Sequence, residues 1–162
     1  VGFYVLALSL VGLISIVPNT IATVLFKDFS KIKIIPVKFV LFTFSLAIIA
    51  LLGLVILINP FIHFFYGEDY APVITLVFIM VFGLLAHGMG DFYIRYLSAN
   101  GYGVQIRNAA ILTGVFLLIL NIFLIPIYKE TGAAVSILLT GLFYFTAMFY
   151  SYMKVTKRFR VG

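Results

Sequence analysis

The chain has 162 residues, 64% of them hydrophobic and only 10% charged, with a formal charge of +6 and a mean hydropathy of +1.24. Soluble domains average about 25% charged residues, and eleven basic with five acidic side chains cannot cover a core of this size. A water-soluble globule is thereby excluded, and an integral membrane protein remains.

At about 20 residues per span the chain holds about five or six helices. It opens on Val1-Gly2-Phe3-Tyr4, with no initiator Met, basic n-region or A-x-A site, so it is no signal peptide and reads as the internal start of something longer. The first apolar run covers 1–26 and contains Pro18-Asn19-Thr20. Pro18 should kink that span, as a transporter hinge or as an ordinary transmembrane proline.

A second run, 37–58, is expected to stop at Asn59-Pro60, because the residue before proline avoids the helical region. The third, 72–97, begins with Pro72, which suits a first helical turn, behind the acids Glu68 and Asp69. In the fourth, 109–127, Asn121 is expected to bond to a neighbouring helix, since a lone amide in hydrocarbon is costly. The fifth, 132–152, leads into a basic tail, 153–162. Gly132, Ser136 and Thr140 on the fifth run, and Ala110 with Gly114 on the fourth, are small groups four apart that suit close helix packing. Barrel strands would be alternating segments of about ten residues. The pattern predicts an all-α, polytopic transmembrane helix bundle of about five spans.

Charge alternates along the breaks. Lys27, Lys31, Lys33 and Lys38 face Asp28 in the first, and Glu68 and Asp69 occupy the second. Arg95 and Arg107 flank the third, Lys129 and Glu130 cancel in the fourth, and Lys154, Lys157, Arg158 and Arg160 follow the fifth. Under the positive-inside rule the first break, the third break and the C-terminus are expected in the cytoplasm, with residue 1 outside. Beside a span, such a tail meets anionic membrane lipids rather than nucleic acid.

Catalytic signatures are missing. His63 and His87 fall on different segments, Gly101-Tyr102-Gly103 is only a fragment of a glycine fingerprint, and no metal-binding or nucleophile motif occurs. No cofactor or metal is expected. The third run carries the main polar signal: Thr75, Ile79, Gly83, His87, Asp91 and Arg95 recur every four residues on one helical stripe. Such a stripe faces a bundle interior or a wet cavity. Two readings of Arg95 stand side by side: a cavity cation paired with Asp91, or an interfacial anchor with Tyr93 and Tyr96.

Several segments together resemble a family. Val1-Gly2-Phe3-Tyr4-Val5-Leu6-Ala7, Phe65-Tyr66-Gly67-Glu68-Asp69-Tyr70 and Tyr96-Leu97-Ser98-Ala99-Asn100-Gly101 are similar to the vG-x-Y-x-x-A, F-x-G-x-x-Y and L-x-A-x-G stretches of polysaccharide exporters. Leu120-Asn121-Ile122-Phe123-Leu124-Ile125-Pro126 followed by Gly132-Ala133-Ala134 resembles their L-N-x-x-L-I-P…G-A-A signature. The order of these motifs resembles the C-terminal half of Wzx-type flippases, in the multidrug/oligosaccharidyl-lipid/polysaccharide exporter superfamily. Lys129 departs from the glycine usual before G-A-A, and Tyr102 from a frequent lysine.

The resemblance implies part of one half of a two-half transporter in the cytoplasmic membrane, completed by an N-terminal half of the same chain. Its implied cargo is a polyprenyl-diphosphate-linked oligosaccharide moved by alternating access. Arg95 and Arg107 are then candidate diphosphate contacts, Asp91 an internal partner, His87 a proton site and Lys38 a weaker contact. Pro18, Asn121, Pro126 and Gly132 become candidate structural or hinge positions. A drug/cation antiporter of the same superfamily is the first alternative; a lipid II flippase, a membrane-embedded glycan-modifying transferase and a structural subunit are others.

Overall fold

The computed structural model describes the backbone of residues 2–160 and the side chains of residues 2–157. Val1 and the side chains of Arg158 and Arg160, counted above in a motif and in the basic tail, lie outside the described residues. Helix α1 (Gly2–Val24) passes through one turn, α2 (Phe26–Phe29), to α3 (Val37–Phe65). A 3-10 turn (Glu68–Tyr70) precedes α4 (Ala71–Ala99), and α5 (Gly103–Arg160) follows. No strand occurs among the described residues. Four stretches are long and apolar enough to cross a membrane: Gly2–Val24, Val37–Phe65, Glu68–Ala99 and Gly103–Lys157.

The last of these has 55 residues, which at about 1.5 Å each would greatly exceed a hydrocarbon layer of about 30 Å. It is folded back on itself. Lys129 takes φ 50, ψ −126, the conformation of the first central residue of a type II′ turn. Phe116 meets Phe143 at 4.7 Å between ring centroids, and a Cβ on Gly132 would strike the Leu124 carbonyl. Helix α5 is thus an antiparallel hairpin of two arms, 103–128 and 130–160, dividing where the fourth and fifth apolar runs meet.

Contacts fix the relative directions. Phe3 packs edge-on against Tyr70, the Pro18 ring sits over Gly88 and Asn19 reaches Asp91, so α1 and α4 run parallel. Gly83 lies against Leu138, and Tyr93 and Tyr96 both meet Tyr152, so the second arm of α5 is parallel to them as well. Helix α3 and the first arm run the other way.

This arrangement sorts the charges. Lys27, Lys31, Lys33, Lys38, Arg95, Arg107, Lys154 and Lys157 gather at one end, while Glu68, Asp69, Lys129 and Glu130 occupy the other. Three bonds tie the α1–α3 connection down at the basic end. Tyr96 Oη donates to the Lys33 carbonyl, the Ile35 N–H donates to Tyr152 Oη at 3.1 Å, and Asn100 Nδ2 donates to the Phe29 carbonyl at 3.0 Å.

Helix α4 is the centre of the bundle, with fourteen of its 29 residues buried. One apolar cluster joins Val73, Val77, Met80 and Val81 to Ala7, Val11 and Ile14 of α1 and Ile58 and Ile62 of α3. A second joins Phe92, Tyr93, Tyr96 and Leu97 to Phe29, Tyr144, Met148 and Tyr152. Small residues permit the tightest crossing: a Cβ on Gly83 would lie 2.5 Å from the Leu138 Cα, and one on Gly141 would overlap the Gly83 carbonyl. The first arm of α5 reaches α4 through Ile106, Ala109 and Leu117, and exposes Ile111, Leu118, Ile122 and Phe123.

Three expectations need correction. Asn59-Pro60 does not end the second span, because α3 continues to Phe65. The proline forfeits one backbone bond, and the turn beyond it buries Ile62 completely against the core. The Ala110/Gly114 pair makes no helix contact: Ala110 is exposed, and a Cβ on Gly114 would find nothing within 4 Å. Asn121 is half-buried on the same arm, and no described residue bonds its side chain.

Candidate functional site

The polar stripe of α4 turns toward two helices at once. Asp91 Oδ2 accepts from Asn19 Nδ2 of α1 at 2.9 Å, and Asp91 Oδ1 accepts from Tyr144 Oη of α5 at 2.8 Å. One carboxylate therefore clamps three parallel helices. Hydrogen bonds to a charge contribute about 1.5–3 kcal/mol each, which offsets the cost of taking a carboxylate out of water between packed helices. The pocket for this carboxylate is built by close packing next door. Pro18 seats on Gly88, where a Cβ would come within 2.6 Å of Pro18 Cγ, and Tyr144 covers Gly90 at 2.5 Å from such a Cβ.

One turn toward the basic end, Arg95 is exposed. It makes no ion pair with Asp91 among the described residues, which corrects the expected pairing: Asp91 is engaged by Asn19 and Tyr144, and Arg95 lines the two clefts beside it. Two adjoining clefts share Asn19 and Arg95. One, of about 500 Å³, is lined by Ser15, Ile16, Asn19, Thr20, Thr23, Val24 and Arg95. The other, of about 350 Å³, is lined by Asn19, Asp91, Ile94, Arg95, Ser98 and Ile106. Together they form a groove of hydroxyls, an amide, one cation and one anion in the half of the bundle nearer the basic end. A further cleft between α1 and α3 is lined by apolar side chains and Gly53 and offers nothing to orient a polar ligand.

Toward the opposite end, His87 stands edge-on to the Tyr144 ring at 4.2 Å between centroids. It lines a separate pocket of about 200 Å³ with Gly83, Leu84, Leu117, Ile137, Thr140 and Gly141. Asp91, His87 and Arg95 are thus successive levels of one polar column. Arg107 is exposed beside Ile106 of the groove wall, without itself lining it. Lys38 lies apart, its Nζ 5.3 Å above the Phe39 ring. His63 Nδ1 lies 3.0 Å from Glu68 Oε1 at the acidic end. Among the described residues no three His, Asp or Glu side chains converge to hold a metal ion. Pro18 and Gly132 sit at tight helix contacts, and Pro126 lies exposed three residues before the Lys129 turn.

Sequence reasoning missed Asn19, Tyr144 and the hydroxyl wall of α1. Ser15, Asn19 and Thr23 also recur every four residues, so α1 carries a short polar stripe that passes unnoticed beside Pro18.

The fold and this interior column define an all-α, multi-pass membrane protein. Comparison of the chain with protein-family models, curated proteins and solved structures finds no match.

Proposed function

We propose that this bundle is part of a transporter of the cytoplasmic membrane that moves a polyprenyl-diphosphate-linked oligosaccharide to the outer leaflet by alternating access, with the basic end in the cytoplasm. The observation that carries the reading is the groove at that end: an exposed arginine beside hydroxyls and an amide, set between apolar spans. A diphosphate leaving water needs compensating charge, and Arg95 supplies a fork of donors that suits phosphate oxygens. The hydroxyls of Thr20 and Ser98 and the Asn19 amide suit the sugar. The sequence resemblance to Wzx-type flippases supports the same cargo.

A second reading has its own observation. Asp91 is a carboxylate held inside the bundle by Asn19 and Tyr144, which suits the binding of a cation in a drug/cation antiporter.

Deleting the gene, and complementing with wild type or Arg95→Ala at matched protein level, tests both. Lipid-linked glycans of full length accumulating on the cytoplasmic leaflet, and remaining there with Arg95→Ala, support flipping. A normal glycan pool with lost resistance to cationic drugs supports the antiporter. Shortened glycans refute both and return the transferase.

A further inference from the structure

Two residues that line the His87 pocket each carry a buried polar atom with no hydrogen-bond partner among the described residues. His87 Nδ1 and Thr140 Oγ1 are both buried without a hydrogen-bond partner, and both residues line the same cavity of about 200 Å³. Thr140 is the telling case. In α5 the hydroxyls of Thr113, Ser136, Thr146, Ser151 and Thr156 all fold back onto the carbonyl four residues earlier. Thr140 has the same option, is 9% exposed, and does not take it.

We infer that this cavity is a hydrated site, in which water bridges His87 Nδ1 to Thr140 Oγ1 near the middle of α4. Each stranded polar atom would cost about 1–3 kcal/mol, with no bulk water in the hydrocarbon layer to answer it. A water needs only about 10–15 Å³ of this kind of volume and two or more polar partners, so the cavity has room for several. An acyl chain fills the space but bonds neither atom. Water donates to one and accepts from the other, whichever imidazole nitrogen carries the proton. Gly83 and Gly141 stand on the cavity wall, where their close crossing holds α4 against the second arm of α5.

The test is water-edited solid-state NMR on the full chain in lipid bilayers, with labelled histidine and threonine. Magnetisation from water should reach the His87 ring and the Thr140 side chain as quickly as it reaches His63 at the membrane end. Transfer from lipid acyl protons instead, or no transfer from water, overturns the inference. Thr140→Val gives a second readout. In a wet site it abolishes water transfer to His87 and lowers the unfolding midpoint, whereas in a dry one it removes a stranded hydroxyl and raises it. Thr140→Ser, which keeps the hydroxyl, should restore the water signal; failure to do so also counts against the inference. Should Thr140→Val not assemble, the unsubstituted protein and Thr140→Ser decide the matter alone.

Discussion

Gly141→Ala adds a single methyl group at the place where α4 and the second arm of α5 come closest. That methyl would overlap the Gly83 carbonyl, and the reciprocal Cβ on Gly83 would lie 2.5 Å from the Leu138 Cα and 2.7 Å from the Ile137 carbonyl oxygen. Carbon atoms settle at about 3.5–4.0 Å, so the helices must part by about 1 Å. A gap of that size forfeits roughly a quarter to a half of each dispersion contact along the seam. Overpacking of this kind costs about 1–3 kcal/mol, and the upper part of the range applies because backbone atoms cannot rotate aside. Alanine gains back about 0.8–1.0 kcal/mol of helix propensity over glycine. The net loss is about 1–2 kcal/mol, a factor of about 5–30 in the folding equilibrium. Reversible unfolding in bicelles by steric trapping measures it. Gly114→Ala is the matched control, since its Cβ meets nothing within 4 Å, and it should be neutral or slightly stabilising. Equal behaviour of the two variants would refute the close crossing.

Three further outcomes follow from named contacts. Asp91→Ala strands the Asn19 amide and the Tyr144 hydroxyl and should cost about 2–6 kcal/mol, at about 1–3 kcal/mol per group, in the same unfolding assay. Asp91→Asn, which still accepts from Tyr144, should cost less. Tyr96→Phe loses its bond to the Lys33 carbonyl, about 1 kcal/mol, and should speed amide hydrogen exchange between residues 31 and 34 while Ile35 stays protected by Tyr152. Lys129→Gly relieves a positive φ, which costs about 1–3 kcal/mol, against about 0.5–1 kcal/mol of glycine entropy. It should stabilise the hairpin where Lys129→Ala does not.

Much of this architecture was legible in the sequence, for identifiable reasons. Continuous apolar runs mark membrane helices because hydrocarbon forces every backbone bond inside its own segment. Alternating charge in the breaks foretold the antiparallel neighbours, and the basic breaks do gather at one end. Fourfold spacing placed His87, Asp91 and Arg95 on one face of α4. It could not say which helix would meet that face: Asn19 and Tyr144 are 72 and 53 residues away from Asp91, and no local pattern encodes such a pairing. The same limit explains Asn121 and the Ala110/Gly114 pair, whose small or polar character suggested partners that their face of the first arm does not meet. At Pro60 a local rule lost to tertiary packing, since Ile62 lies beyond it and is fully buried.

The Asp91 clamp also imposes an order on biosynthesis. Asn19 precedes Asp91 along the chain, whereas Tyr144 follows it by 53 residues. At a translation rate of about 5–20 residues per second, roughly 3–10 s separate the emergence of Asp91 from that of its second partner. During that interval only one of its two hydrogen-bond donors, the Asn19 amide of α1, has been made, so that amide is there to meet it first. Tyr144 then arrives on the returning arm of the hairpin and closes a site that is already half built.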